Sequence, residues 1–239
     1  MAYAAHRHGD PRRRRASHGP LWAPLLLFAG VTIAAATYVS YVLWPRWPDA
    51  PVARNAPSMP IVVAGVAFNI EPAAIRNAVQ RRPGTQPRVD LVYLWPSLAP
   101  PDPAAKPSIG KPAPPDLAQR LFVTIQASDG TLSPAERLHG IYPRCLAPEP
   151  GAGPPGLTLQ KFRDDSPYRG EELAFDPQTP THFLARCSLR GVTGDGNCLL
   201  ERRIGEADIT VRFPRDWLND WRGVADGIDR LLKRLHPTS

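Results

Sequence analysis

HFLARCSLRGVTGDGNCLLERRIGEADITVRF, residues 182–213, contains the pattern that decides how this chain folds. The runs HFLARC, CLLERRI and ADITVRF have the composition of strands, and glycine-containing stretches separate them. Gly205-Glu206, between the second run and the third, is a two-residue turn with glycine first, as a type II′ hairpin requires. The stretch therefore predicts a three-stranded antiparallel meander from about residue 181 to residue 213.

Two cysteines, Cys187 and Cys198, are predicted to face each other at the mouth of the first hairpin. A zinc clip would need further ligands at short spacing, and neither cysteine has one nearby. The glycines of residues 191–196 suit a phosphate loop, but its Lys-Ser/Thr ending and following helix are missing. Asp195 and Asn197 alone are too few ligands for calcium.

A disulfide between Cys187 and Cys198 is therefore expected if the domain lies in an oxidising compartment, with a redox-active pair as the alternative. Closing a loop of this length contributes about 3 kcal/mol in the chain-entropy model. Cys145 is left over and is expected to be a buried thiol.

The segment PRDWLNDWRGVADGIDRLLKRL, residues 214–235, carries an apolar stripe at spacings of three and four residues, which predicts an amphipathic helix. Charged residues lie mostly off the stripe, so we expect the helix to cover one face of the sheet. The alternative is a seam for a partner, with Trp217 and Trp221 as candidate interface residues. The stripe consists of Trp217, Trp221, Val224, Ile228, Leu231 and Leu235.

The chain before residue 182 contains further predicted elements. Three runs have strand composition: IVVAGVAFNI (61–70), VDLVYLW (89–95) and RLFVTIQA (120–127). Glu71-Pro72 followed by AAIRNAVQRR (73–82) predicts a short helix.

A second helix is predicted after Ser133, which forms a capping-box pattern with Glu136. Residues 148–180 are rich in Pro, Gly and Asp and are expected to hold only short strands, around LTLQKF and ELAF. The fold class is α+β with a mainly antiparallel sheet and a C-terminal amphipathic helix.

LWAPLLLFAGVTIAAATYVSYVLW, residues 21–44, has no ionisable side chain apart from its tyrosines and would reach about 36 Å as a helix, enough to span a hydrocarbon core of about 30 Å. It predicts a transmembrane helix with aromatic residues near both ends. Ala34-Ala35-Ala36 would suit cleavage of a signal peptide, but the apolar run continues past it, which favours an uncleaved anchor.

The formal net charge is +7, of which residues 1–20 carry +4 through five arginines and one aspartate. The remaining +3 is too little for a nucleic-acid interface. An arginine cluster before the span places the N-terminus in the cytoplasm and the rest in the periplasm. The predicted plan is a basic cytoplasmic tail (1–20), a transmembrane helix (21–44), a proline-rich spacer (45–59) and a periplasmic domain (60–239) with a proline-rich loop (96–116).

Short runs across residues 60–225, among them RVDLVYLWP, LFVTI, IYPRCL, GEEL, LARC and VRFPRDWLNDW, resemble a loose set of uncharacterised single-pass envelope proteins of proteobacteria. The resemblance implies a bacterial envelope protein. It brings no catalytic motif with it.

Catalytic chemistry has little support in the sequence. Outside the tail the chain has the histidines His139, His182 and His236, and no GxSxG, SxxK, HExxH or CxxC motif. A His139–Cys145 pair, or His182 with Glu171, Glu172 or Asp176 and a serine, would be the starting point for a hydrolase of cell wall or lipid.

We therefore expect an inner-membrane protein without catalytic, metal or cofactor sites that binds or scaffolds another envelope protein and contacts inner-membrane lipid. Besides a hydrolase, the alternative is an accessory subunit of a membrane complex. In that role Gly30 and Ala34 would form a small-xxx-small interface within the span.

Overall fold

A computed structural model describes residues 22–43, 52–53, 55–102, 119–189, 191 and 196–237. These residues belong to two compact units, which divide between Trp47 and Pro48. The predicted tail, most of the spacer, residues 103–116 of the proline-rich loop and Asp195 lie outside the described residues.

The first unit contains one helix, α1 (Trp22–Leu43). Its stretch Pro24–Val42 is long and apolar enough to cross a membrane. Signal sequences can have the same length and composition. The large apolar side chains along α1 are exposed, from Trp22 to Val42. The predicted apolar helix is confirmed, and its length and composition suit either an anchor or a signal peptide.

The second unit is built on a seven-stranded antiparallel sheet with the order β4-β5-β10-β9-β8-β7-β6. A smaller sheet has the order β2-β1-β3, in which β1 and β3 are parallel. The strands are β1 (Met59–Val63), β2 (Val66–Ile70), β3 (Gly84–Thr85), β4 (Arg88–Leu94), β5 (Arg120–Ala127), β6 (Thr158–Lys161), β7 (Glu171–Phe175), β8 (Leu184–Ser188), β9 (Asn197–Ile204) and β10 (Ala207–Pro214).

The predicted meander is confirmed as β8, β9 and β10. Ala207 pairs with Ile204 across the turn, and Gly205 takes a positive φ of 54°. Glycine at the first turn position meets the requirement of a type II′ hairpin at no steric cost.

The prediction of one strand over residues 61–70 is wrong, because the run folds back on itself as the hairpin β1–β2. Ala64 and Gly65 both have positive φ, 50° and 79°. This pair of left-handed residues is the type I′ pattern, whose twist matches that of the flanking strands.

The helix predicted over residues 73–82 is also wrong. Two short 3-10 turns, Pro72–Ala74 and Ala78–Gln80, stand in its place. Between them, Ile75 is buried and bridges to Leu91 of β4, and the Arg76 amide donates to the Asp90 carbonyl at 2.9 Å. Pairing with the sheet therefore overrides the local helix preference of this segment.

Both edges of the seven-stranded sheet are occupied by short backbone pairings. Ile75 bridges to Leu91 at the β4 edge, and Gly151 bridges to Leu159 at the β6 edge. The Ala147 amide also donates to the Lys161 carbonyl at 2.8 Å. Much of each edge strand is therefore unavailable for pairing with another chain.

The inner face of the sheet packs against the C-terminal helix α4 (Trp221–Leu235). The predicted stripe is confirmed as core from Trp221 onward, but residues Arg215–Asp220 form a 3-10 turn rather than the first turns of α4. Asp220 caps α4 by accepting a hydrogen bond from the Gly223 amide at 3.3 Å. The buried positions of the stripe are Trp221, Val224, Ile228, Leu231 and Leu235.

The outer face is covered only in part. Helices α2 (Pro134–Gly140) and α3 (Tyr142–Cys145) contribute to a second hydrophobic cluster with strands β7 and β8. The predicted capping box is confirmed, since the Ser133 amide donates to Glu136 Oε2 at 2.7 Å and Ser133 Oγ accepts from the Glu136 amide. None of the outward-facing side chains of β5 and β10 belongs to either hydrophobic cluster.

Candidate binding surface

Strand alternation places Phe122 and Arg212 together on the outer face of the sheet. They are direct partners in the register of β5 and β10, and the buried residues Val123 and Val211 beside them face the core. Arg120 lies two residues before Phe122 and so points to the same face. A large aromatic ring with arginines around it is therefore built into the outer face of the central strands.

Arg76 reaches this ring from the segment beside β4. Its guanidinium carbon lies 4.8 Å from the centroid of the Phe122 ring, within the range of a cation–π contact. Arg76 and Arg212 are exposed, and Phe122 is half-buried. Together they line a depression of about 220 Å³, which we call the arginine depression; its lining residues are Arg76, Arg120, Phe122, Asn197, Arg212, Phe213 and Pro214.

Four other arginines on the outer side of the domain form ion pairs within it. The pairs are Arg88–Asp90 at 2.8 Å, Arg137–Glu201 at 2.6 Å, Arg186–Glu171 at 3.0 Å and Arg203–Asp208 at 2.6 Å. Within the part of the chain that the structure describes, Arg76 and Arg212 have no ion-pair partner. No carboxylate of the described residues therefore pairs with the two exposed guanidinium groups of the arginine depression, Arg76 and Arg212.

Asp90 is the acidic residue of β4 on the same face, and its carboxylate is already paired within the domain. Burial acts to raise its pKa, but hydrogen bonds from Arg88, Thr124 and Gln80 outweigh burial and leave the pKa below its ordinary value. Thr124 Oγ1 donates to Asp90 Oδ1 at 2.9 Å and Gln80 Nε2 donates to Asp90 Oδ2 at 3.2 Å. The carboxylate is thus held charged by its own partners, and its ion-pair partner is Arg88 rather than Arg76 or Arg212.

A larger groove, about 380 Å³, lies at the opposite end of the outer face, between the start of α2 and strand β9. Pro134, Leu138 and Leu184 supply its apolar lining. Arg202 also lines it, and burial lowers the pKa of this guanidinium. Its two terminal nitrogens donate to the backbone carbonyls of His182 and Glu201, so the guanidinium serves the fold rather than a ligand.

The predicted disulfide is present in the structure. Cys187 and Cys198 are paired in the register of β8 and β9 and are fully buried in the main core. The bond therefore joins two neighbouring strands near the centre of the sheet. Residues 192–195 of the hairpin tip lie outside the described residues.

Replacing both Cys187 and Cys198 by serine is expected to lower the free energy of unfolding by about 3 kcal/mol, because the unfolded chain regains the closed-loop freedom. Denaturant unfolding of the full chain measures the loss. Mass spectrometry of non-reduced peptides should find Cys187 bonded to Cys198. Cys145 bonded to either residue would contradict the pairing, and zinc in elemental analysis would contradict a disulfide altogether.

The aromatic candidates lie at different depths. Trp221 is 3 % exposed and packs with Phe183, whose ring centroid is 5.5 Å away. Trp217 is half-buried on the 3-10 turn before α4 and stacks on Trp95 at 5.1 Å between ring centroids. Of the two, only Trp217 presents part of its ring to solvent.

Gly30 and Ala34 lie one turn apart on α1, and both are exposed. A Cβ atom added at Gly30 would meet nothing within 4 Å in this chain. The small-xxx-small interface stays a prediction.

The acidic groups nearest to the His182 ring nitrogen differ from those that the sequence suggested. His182 Nε2 lies 3.5 Å from Asp226 Oδ1 and 3.7 Å from Asp229 Oδ2, both on α4.

The acids named for His182 have other partners. Glu171 pairs with Arg186, Glu172 with Arg215, and Asp176 accepts from Thr179 Oγ1 at 2.6 Å.

His139 and Cys145 lie on separate helices, α2 and α3. Cys145 is half-buried and packs against the second cluster, so it is less enclosed than expected.

Sequence reasoning did not find the arginine depression. The alternation of RLFVTIQA does mark Phe122 as an outward-facing aromatic residue, which is an unusual place for phenylalanine. Arg76, however, comes from a segment that was predicted to be a helix, and Arg212 comes from another strand of the sheet. Only the tertiary structure brings the three side chains together.

No protein-family model and no curated protein sequence matches the chain. Among solved structures, an immunity protein of the Stenotrophomonas maltophilia type IV secretion system is similar, with 13% sequence identity, a TM-score of 0.49, and 75% of this chain and 93% of that chain covered. The iron-regulated outer membrane lipoprotein FrpD of Neisseria meningitidis is similar with 9% identity, a TM-score of 0.43, and 80% and 98% covered. Similarity this low carries no argument about function.

Proposed function

We propose that this chain is a membrane-anchored binding or scaffolding protein of the bacterial cell envelope, with no catalytic activity of its own. In this proposal α1 is an uncleaved anchor in the inner membrane, residues 1–20 face the cytoplasm, and the domain from residue 60 lies in the periplasm. The arginine cluster before the apolar helix supports this orientation. The exposed apolar side chains of α1 support contact with lipid, because such a surface is costly in water.

One observation carries the binding role: the outer face of the central strands presents Arg76 and Arg212, without ion-pair partners in the described part of the domain, around a half-buried aromatic ring. Arginine and aromatic side chains are the residues most enriched at protein interfaces. Their guanidinium groups stay charged at any physiological pH and so suit recognition rather than proton transfer. A periplasmic protein partner that covers this face is the function that best fits the surface.

The proposed topology predicts that alkaline phosphatase fused after residue 60 is active, because the enzyme folds only outside the cytoplasm. A cytoplasmic reporter at the same position should be silent, and the intact chain should stay in the membrane fraction. The reverse reporter pattern would contradict the orientation. Release of a shortened soluble domain would contradict the anchor and favour a cleaved signal peptide.

The binding role predicts that Arg212→Glu strongly reduces capture of a partner. The tagged full chain is expressed in a bacterial host, crosslinked in living cells and purified from gently solubilised membranes. Charge reversal opposite Phe122 should reduce the captured partner by about tenfold or more, the loss typical of an interface hot spot.

Arg144→Glu is the matched control for this experiment. Arg144 is exposed at the end of α3 and has no ion-pair partner among the described residues. Its replacement by glutamate changes the net charge by the same amount as Arg212→Glu. The control should capture the partner as the unmodified chain does. Equal capture by Arg212→Glu and Arg144→Glu would contradict a binding role for the outer face.

A further inference from the structure

We infer that the arginine depression receives a carboxylate side chain from an acidic segment of the partner protein. The inference rests on the proposed binding function and adds the chemistry of the partner. Three properties of the depression lead to it: the placement of its guanidinium groups, its uncancelled charge and its concave shape.

The Arg76 guanidinium contacts the Phe122 ring, and the Arg212 side chain starts from the neighbouring strand directly beside that ring. Arg76 lies over the Phe122 ring, at 4.8 Å from its centroid, and Arg212 is the direct cross-strand partner of Phe122. The planar fork of arginine matches the two oxygens of a carboxylate and can bind them with parallel hydrogen bonds. The cation–π contact restricts the Arg76 guanidinium before a ligand binds, so binding costs less side-chain conformational entropy.

The charge of the depression selects an anion. Four arginines elsewhere in the domain, Arg88, Arg137, Arg186 and Arg203, each have a carboxylate of this domain within 3.0 Å. Arg76 and Arg212 lack one among the described residues, although the same face of the sheet carries Asp90, Glu201 and Asp208. An acidic side chain from a partner would give Arg76 and Arg212 the carboxylate that the other four arginines receive from this domain.

Size and shape favour a protein side chain over a membrane or a nucleic acid. Recognition of an anionic bilayer uses clusters of about four to eight basic residues. Nucleic-acid binding uses about six to ten phosphate contacts. Two uncancelled arginines around a concave space of about 220 Å³ are too few for either surface, but they suit one inserted carboxylate and its aliphatic stem.

The test uses the full chain in nanodiscs of zwitterionic lipid and a short fluorescent oligoglutamate peptide, with an oligoglutamine peptide of equal length as reference. Fluorescence anisotropy should show that the Kd for oligoglutamate is lower than that for oligoglutamine by about tenfold or more. Arg76→Glu and Arg212→Glu should each weaken that binding by about tenfold or more, and Arg144→Glu by less than about twofold. Phe122→Leu should also weaken it, because the ring that positions Arg76 is lost.

Equal affinity for the two peptides would overturn the inference, as would an equal effect of Arg212→Glu and Arg144→Glu. Displacement of oligoglutamate by equimolar inorganic phosphate, or binding of phosphatidylglycerol vesicles that depends on Arg212, would also overturn it in favour of a phosphate ligand. If oligoglutamate fails while partner capture still depends on Arg212, the carboxylate inference fails and the proposed function stands. If oligoglutamate binds as expected but no partner depends on Arg212, the proposed function fails instead.

Discussion

Replacing Trp221 by alanine is expected to lower the free energy of unfolding of the domain by about 3 to 5 kcal/mol, the usual loss for a large aromatic side chain in a core. Trp221 begins α4 and packs between the helix and the sheet, with 3 % of its surface exposed. Its indole N–H donates to the Pro155 carbonyl at 3.2 Å. The substitution therefore leaves a cavity and removes one of the two hydrogen bonds to the Pro155 carbonyl, which also accepts from Arg222 Nη1 at 3.1 Å.

Denaturant unfolding of the full chain in detergent, followed by circular dichroism at wavelengths that report the sheet, measures this loss. Trp22→Ala is the control, because Trp22 is 74% exposed on α1 and should leave the unfolding of the domain unchanged. Unchanged unfolding of Trp221→Ala together with the loss of a partner would identify the helix stripe as an interface instead of core.

Arg215→Ala is expected to destabilise the domain by a similar amount, about 3 to 5 kcal/mol, because it leaves a buried carboxylate without its partner. The Glu172 side chain is 5% exposed, and it accepts hydrogen bonds from Arg215 Nε at 2.7 Å and from Arg215 Nη2. Glu172 is also the cross-strand partner of Cys187 on β8. The ion pair therefore ties the end of β10 to the far half of the sheet, beside the disulfide.

A double replacement distinguishes the net contribution of the ion pair to stability from the cost of leaving one buried charge unpaired. Glu172→Leu with Arg215→Met should unfold at higher denaturant concentration than Arg215→Ala alone, because no buried charge is left unpaired. Arg215→Lys keeps the positive charge but loses the planar guanidinium that donates two hydrogen bonds to Glu172. Its free energy of unfolding should lie between those of the unmodified chain and Arg215→Ala. A loss below about 1 kcal/mol for Arg215→Ala would indicate that water reaches Glu172 and that the pair behaves as a surface pair.

Local patterns in the sequence were sufficient for the elements whose signal is contained in neighbouring residues. The stripe of α4 depends on residues three and four apart, and the β9–β10 hairpin depends on glycine at one turn position. The break at Ala64-Gly65 was missed because alanine is an uncommon residue at positive φ, so the run looked continuous. Ile75 was misassigned because its partner, Leu91, is distant in sequence.

Strand order and the binding surface depend on contacts that no local pattern contains. β5 (Arg120–Ala127) pairs with β10 (Ala207–Pro214), which lies far along the chain, and that pairing sets Phe122 against Arg212. Likewise, Glu172 and Arg215 lie in segments whose approach requires the whole sheet to form. The sequence therefore allowed the prediction of the α+β class, the meander and the disulfide, but not of the arginine depression.

Protected edges have a particular value for a protein that we propose to be confined to a membrane. Confinement to two dimensions would raise the rate at which copies of the protein collide. Each collision would give an open edge strand a chance to pair with the same strand of a neighbour. The backbone bridges at Leu91 and Leu159 shorten both edges of this sheet. In an anchored protein they would reduce such edge-to-edge pairing between copies.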